Sequence, residues 1–299
     1  MTGIAPATAQ AGVAGLYADP NFKLIGAGDD AFIAFGYSTA NKNPLYAEAS
    51  STTLGSTQNL VGSRTCIDSM NNNGDPRLYA FYEPLSNGSF AGITQGAYST
   101  AALTSTFSIP TVYVGGDAGN SASGNAPVNL LTSYESLFLQ AEVVARGWEA
   151  SSFGYIDDSL FYHGINANFV YYASAFTKTY GAPYTSTIDS DYLIGYLNGG
   201  VVGSPLPGYW AVYPTAGTVQ QKLRFIITQK WFAMCGNQGF EAWCEQRRTG
   251  YPDFFVVSVN SLVGANLPKR FLYPTSESTR NFNFPGVAPI TAKMWWDLY

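Results

Sequence analysis

Charge is scarce in this chain. Only 12% of its 299 residues are Asp, Glu, Lys or Arg, about half the roughly 25% of an ordinary soluble domain. Disorder does not explain the shortage, because 46% of the residues are hydrophobic and can bury a core. The surface must instead be wetted by Asn, Ser, Thr, Gln and Tyr. Such neutral, aromatic-rich surfaces suit extracellular proteins that handle sugars or peptides.

Other absences exclude whole classes of function. Net charge is −5 with no basic run, so the electrostatic footprint of a nucleic-acid binder is missing. No stretch of about 20 apolar residues exists, so nothing in the sequence spans a membrane as a helix. His163 is the single histidine, and Cys66, Cys235 and Cys244 lack C-x-x-C spacing. No zinc site of the usual kind can be assembled from them. Cys235 and Cys244 flank a helix–helix turn; they either pair in an oxidising compartment or stay as free thiols, and burial preference favours thiols. No G-x-S-x-G turn accompanies His163, which leaves it a helix-surface or core residue. No phosphate-cradling glycine loop is present either. No cofactor or metal is expected.

Carboxylates number 20, and only Asp29-Asp30, Asp157-Asp158 and Asp189-x-Asp191 cluster. A glycosidase needs two facing carboxylates, but each cluster has a plainer role. Asp157 or Asp158 reads as a helix cap. Asp189 and Asp191 precede a short helix at YLIGYL, and no loop with alternating oxygen ligands and a closing Glu supports calcium.

Helical periodicity dominates what is there. Apolar spacing predicts helices near 57–71, 132–147, 157–176, 218–234 and 238–248. Thr132-x-x-Glu135 forms a capping box, and Asn71-Asn72-Asn73-Gly74 stops the first helix. The second and third helices read as an antiparallel hairpin, with Gly164 and Ala167 small enough for close approach. DDAFIAFG (29–36) is a short strand or a packed loop. Residues 84–129 and 181–217 are loop by composition, and a structureless loop this long is functional or disordered. The aromatics within them argue against disorder, and 250–299 reads as irregular.

Two stretches carry a family signature. Residues 222–252 read KLRFIITQKWFAMCGNQGFEAWCEQRRTGYP, and 270–281 read RFLYPTSESTRN. With Asp75-Pro76-Arg77 after a helix, these resemble the SusD/RagB family of outer-membrane nutrient-binding lipoproteins, nearest its SusD-like branch. The resemblance covers about residues 40–285. It implies an all-α fold of tetratricopeptide-like helical hairpins with long irregular loops. It also implies a single SusD-like domain over 1–299 that lacks the family's N-terminal helical half. The opening MTGIAPATAQAG has no charged or apolar leader and no lipidated cysteine, so membrane association through a lipid anchor falls outside this chain. The implied place is the outer-membrane surface, and the implied partner is a SusC-like TonB-dependent transporter. The family captures nutrients and is not catalytic. Trp243, Arg247 and Arg248 then belong to its scaffold, with Glu142, Glu241 and Glu277 as candidate partners for buried arginines.

The remaining signal is loop aromatics beside amides. A sugar ring offers C–H bonds on one face and hydroxyls at its rim, so a glycan site needs aromatic faces flanked by polar groups. Tyr79, Tyr82, Tyr98, Tyr209, Trp210 and Tyr213 fit, with Phe90 beside them. The expected ligand is a neutral oligosaccharide. An oligopeptide is the alternative, and an all-α glycosidase or a structural surface module are the remaining readings.

Overall fold

The computed structural model describes residues 2–97, 103–148, 156–175, 196–197 and 208–297, apart from Tyr37, Thr39, Leu54 and Val287. Its α-helices run α1 Pro6–Ala18, α2 Pro44–Ala49, α3 Arg64–Asn72, α4 Leu78–Phe81, α5 Leu103–Thr106, α6 Ser133–Ala145, α7 Asp157–Tyr171, α8 Val219–Ala233, α9 Gly239–Thr249 and α10 Thr275–Arg280. Two short strands, β1 Ala31–Ile33 and β2 Val128–Leu131, pair antiparallel with Phe32 opposite Asn129. The chain is all-α in class. Among the described residues no helix is long and apolar enough to cross a membrane.

The frame is the α6–α7 hairpin with α8 laid against it. Tyr134, Phe138 and Ala141 from α6 meet Leu160, Phe161, Ile165 and Phe169 from α7, all buried. Gly164 makes the approach possible: a Cβ there would lie 2.9 Å from the Phe138 ring. Ile226 and Phe232 of α8 and Ile67 and Met70 of α3 complete the same core.

Caps explain several boundaries. Thr132 Oγ1 accepts from the Glu135 amide at the start of α6. The reciprocal half of that capping box gives way, because the Glu135 carboxylate turns to Gln238 Nε2 at 2.6 Å and faces the buried Lys230 ammonium at 3.5 Å. A complete capping box forms at α8 instead, between Thr218 and Gln221. α9 ends at Gly250, whose φ of 78° suits glycine.

Three expectations need correction. The first helix starts at Arg64, not near 57. Gly62 and Arg64 spend their amides on Ser108 and Ile93 carbonyls, and Ile93 donates back to Gly62, a strand-like exchange incompatible with a helical turn. Asp157 is not a cap but the first residue of α7, behind Ile156. Its Oδ2 accepts from Tyr213 Oη at 2.8 Å and Lys222 Nζ at 2.7 Å, tying α7 to α8. Among its described residues the C-terminal stretch is irregular apart from α10. The predicted helix at YLIGYL falls mostly outside the described residues.

Two buried polar clusters lock the frame. Arg77, fully buried, donates from Nε and Nη2 to the Asp75 carboxylate, from Nη2 to Gln229 Oε1 at 2.7 Å and from Nη1 to Asn168 Oδ1 at 3.3 Å. Phe169, Tyr196 and Phe232 surround its guanidinium. Near α9, Arg248 holds Glu142 with two 2.6 Å hydrogen bonds and also meets Glu245. Arg146 and Lys230 close that cluster. Burial alone would raise the Glu142 carboxyl, but the charges of Arg248, Arg146 and Lys230 outweigh it and hold it at about 2. Arg247 lies between the rings of Trp243 and Trp296 and donates to the Lys269 carbonyl at 2.8 Å. These arginines are therefore braces. Glu142 is the partner anticipated among three. Glu277 bonds Asn281 instead, and Glu245 comes from α9 itself.

Candidate functional site

The exposed face of α3 forms one wall of a groove of about 630 Å³. Arg64, Asp68 and Asn72 recur every four residues and so share a face, while Ile67 and Met70 point into the core. The turn Tyr209–Ala211 adds Tyr209 and Trp210 to the lining. Phe254, Val256 and Thr94 complete it.

That turn is held from beneath. The Trp210 amide donates to Asn73 Oδ1 at 3.0 Å, and its carbonyl accepts from Gln229 Nε2 at 2.9 Å. Gln229 also accepts from Arg77, so the buried Asp75–Arg77 cluster sets the height of the Trp210 backbone. Gly208 is needed where the chain comes closest: a Cβ there would sit 2.5 Å from the Asn73 carbonyl oxygen. Thr94 is placed by its neighbours, since the Ile93 carbonyl accepts from Arg64 N and Gln95 Nε2 donates to Ser63 Oγ.

The aromatic wall is a packed cluster. Trp210 meets Tyr209 edge-on with centroids 4.7 Å apart and leans on Phe225 and Phe254 at 5.1 and 5.8 Å. The Arg224 guanidinium lies 4.9 Å from the Trp210 centroid and is itself paired with Asp253. Tyr209 is 60% exposed, whereas Trp210 is half-buried. The charges on the α3 wall pair with one another, Arg64 Nε to Asp68 Oδ2 at 2.9 Å. The groove thus offers aromatic faces, amides, hydroxyls and little net charge.

The sequence-predicted residues divide. Tyr209 and Trp210 line the groove together. Tyr79 is half-buried and packs edge-on against Phe90, away from the groove lining. Tyr82 and Tyr213 are core residues, at 9% and 4% exposure; Tyr82 points at Cys235, and Tyr213 braces Asp157. They offer no free face. Tyr98 lies outside the described residues. Composition missed the α3 wall and Phe254. The polar spacing 64, 68, 72 opposite an apolar face was the available signal for the wall.

A family model described as "Starch-binding associating with outer membrane" matches residues 4–274. The chain belongs to this SusD-like family. A SusD homologue from Bacteroides uniformis superposes with a TM-score of 0.71 at 20% identity, covering 100% of this chain and 62% of that one. A chitin-binding SusD homologue from Flavobacterium johnsoniae gives 0.69 at 24% identity, covering 99% and 60%. A SusD homologue from Bacteroides vulgatus gives 0.70 at 23%, covering 99% and 59%. At these identities the likeness establishes the SusD-like fold alone. The chain spans about three fifths of the length of these solved relatives. No curated protein matches it.

Cation sites and thiols complete the survey. Among the described residues no group of three His, Cys, Asp or Glu side chains could hold a metal ion. Asp30 is engaged as an acceptor for the Ser133 amide, and Asp189 and Asp191 lie outside the described residues. Cys244 Sγ accepts from Arg247 Nη2 at 3.2 Å and does not face Cys235, whose neighbour is Cys66.

Proposed function

We propose that this SusD-like chain captures a neutral oligosaccharide in the α3–Trp210 groove and does not cleave it. The observation that carries the reading is the lining: Tyr209, Trp210 and Phe254 together with Asn72, with the charges of Arg64 and Asp68 already paired. Aromatic rings accept the C–H face of a sugar, and amides and hydroxyls serve its rim. The groove volume falls within the range of small-ligand sites. Membership in a family described as starch-binding supports the same ligand class, as does a relative whose name records chitin binding.

Binding without cleavage is supported by Asp68, the one carboxylate on the groove lining among the described residues, which is committed to Arg64. Glycoside hydrolysis calls for two. Family membership further supports a place at the outer-membrane surface, with a lipid anchor and a SusC-like TonB-dependent transporter as partner.

The test is calorimetric titration of the chain with α-glucan and chitin oligosaccharides, with neutral oligopeptides as the competing class. Glycan dissociation constants between micromolar and millimolar are expected, about 4–8 kcal/mol, and Tyr209→Ala should abolish the heat. Peptide binding without glycan binding would reassign the ligand. Sugar product released on incubation would make the protein an enzyme.

A further inference from the structure

Cys66 and Cys235 are 169 positions apart in sequence, yet their sulfurs lie 3.4 Å from one another as free thiols. Cys66 sits on the buried side of α3, and Cys235 follows α8 in the turn before α9. We propose that this pair is a covalent modification site: Cys66 and Cys235 form an intramolecular disulfide by exchange with a small-molecule disulfide, stapling the α3 groove wall to the α8–α9 turn.

The geometry requires little. A disulfide has its sulfurs about 2.0 Å apart, so about 1.4 Å of approach is shared by two side chains. Access is asymmetric: Cys235 is half-buried, while Cys66 is only 7% exposed. Cys235 is therefore the attacking sulfur. The Cys66 S–H contact favours its thiolate, burial opposes it, and the Tyr82 hydroxyl and the Arg77 charge favour it again. Cys244 does not compete, because its sulfur is turned to Arg247 within α9.

The exchange balances. The Cys235 thiolate attacks one sulfur of the reagent disulfide and expels one thiolate, leaving a mixed disulfide on Cys235. Cys66 loses its proton, and its thiolate attacks Cys235 Sγ and expels the second thiolate. The protein gives up two electrons and two protons, and the reagent becomes two thiols. Closing so long a loop removes much of the freedom of the unfolded chain.

The experiment treats the reduced, folded chain with oxidised glutathione, alkylates the remaining thiols and maps the peptides. The expected product is lighter by two hydrogens, carries one alkylated cysteine at Cys244 and contains a Cys66–Cys235 cross-link. Its melting temperature should rise by roughly 10 °C and fall back with dithiothreitol. Cys244→Ser should keep this gain and Cys235→Ser should lose it. Three alkylated thiols, a persistent glutathione adduct on Cys235, a Cys235–Cys244 link or a disulfide-linked dimer would each overturn the proposal. Mapping the wild-type chain decides the matter even if a variant fails to fold.

Discussion

Arg248 and Glu142 meet through two parallel hydrogen bonds, Nη1 to Oε1 and Nη2 to Oε2, each 2.6 Å long. Glu142 is buried on α6 and Arg248 reaches it from α9. Arg248→Ala should therefore destabilise the fold by about 3–5 kcal/mol, because Glu142 would lose its principal counter-charge. Arg248→Lys should recover only part of this, since an ammonium cannot reproduce the two-point fork. Chemical denaturation checks both. An unchanged midpoint in Arg248→Ala would show that solvent already satisfies the pair.

Acid should unfold the protein through the same residue. The Glu142 carboxyl titrates at about 2 in the folded chain, against an ordinary 4.5. A depressed acid contributes fully above its unfolded value and loses that contribution as pH falls toward its folded one. Stability should thus decline between about pH 4.5 and 2, by about 3 kcal/mol from this group. Glu142→Gln should flatten the decline when melting is followed across that window. A profile of equal steepness in the variant would assign the acid sensitivity elsewhere.

The Arg77 cluster makes a different prediction. Arg77→Met strands the Asp75 carboxylate, whose side chain is fully buried, and should cost about 3–5 kcal/mol. Adding Asp75→Ala to Arg77→Met should restore part of the loss, because no unpaired charge then remains inside. Strict additivity of the two substitutions in thermal melts would contradict the pairing.

Tyr209 and Trp210 should separate in a binding assay. Tyr209 is 60% exposed and contacts Trp210 and Phe225, so Tyr209→Ala should remove glycan binding while lowering stability by only about 1 kcal/mol. Trp210 also packs on Phe225 and Phe254. Trp210→Ala should lower stability by about 2–3 kcal/mol as well as abolish binding, since part of a large side chain leaves the core. Equal thermal shifts in the two variants would refute this division.

Much of the frame was legible in the sequence because helices carry a local signal. The faces of α6 and α7 and the Gly164 contact follow from periodicity and small residues within a few positions. The start of α3 was not legible, because the Gly62 and Arg64 amides are claimed by Ser108 and Ile93, partners some 30 to 45 positions away. Glu135 left its capping box for the same kind of reason, drawn by Gln238 and Lys230. The site suffered most. Tyr82, Tyr209 and Tyr213 look alike in a loop composition, and only tertiary placement makes Tyr209 exposed and the other two core. The Arg64–Asp68–Asn72 stripe was readable as an exposed helix face, but nothing local says what faces it across a groove.

The ion cluster around Glu142 has one more consequence. Glu135, Glu142 and Glu245 are matched by Arg146, Lys230 and Arg248, three negative groups against three positive ones. Buried pairs are screened far less by dissolved ions than exposed ones, and the uncharged sugar proposed as ligand would displace no counterions on arrival. Folding and capture should therefore proceed almost alike in dilute and in strongly saline media. Encounter would be set by diffusion and orientation, with no long-range field to guide the ligand in.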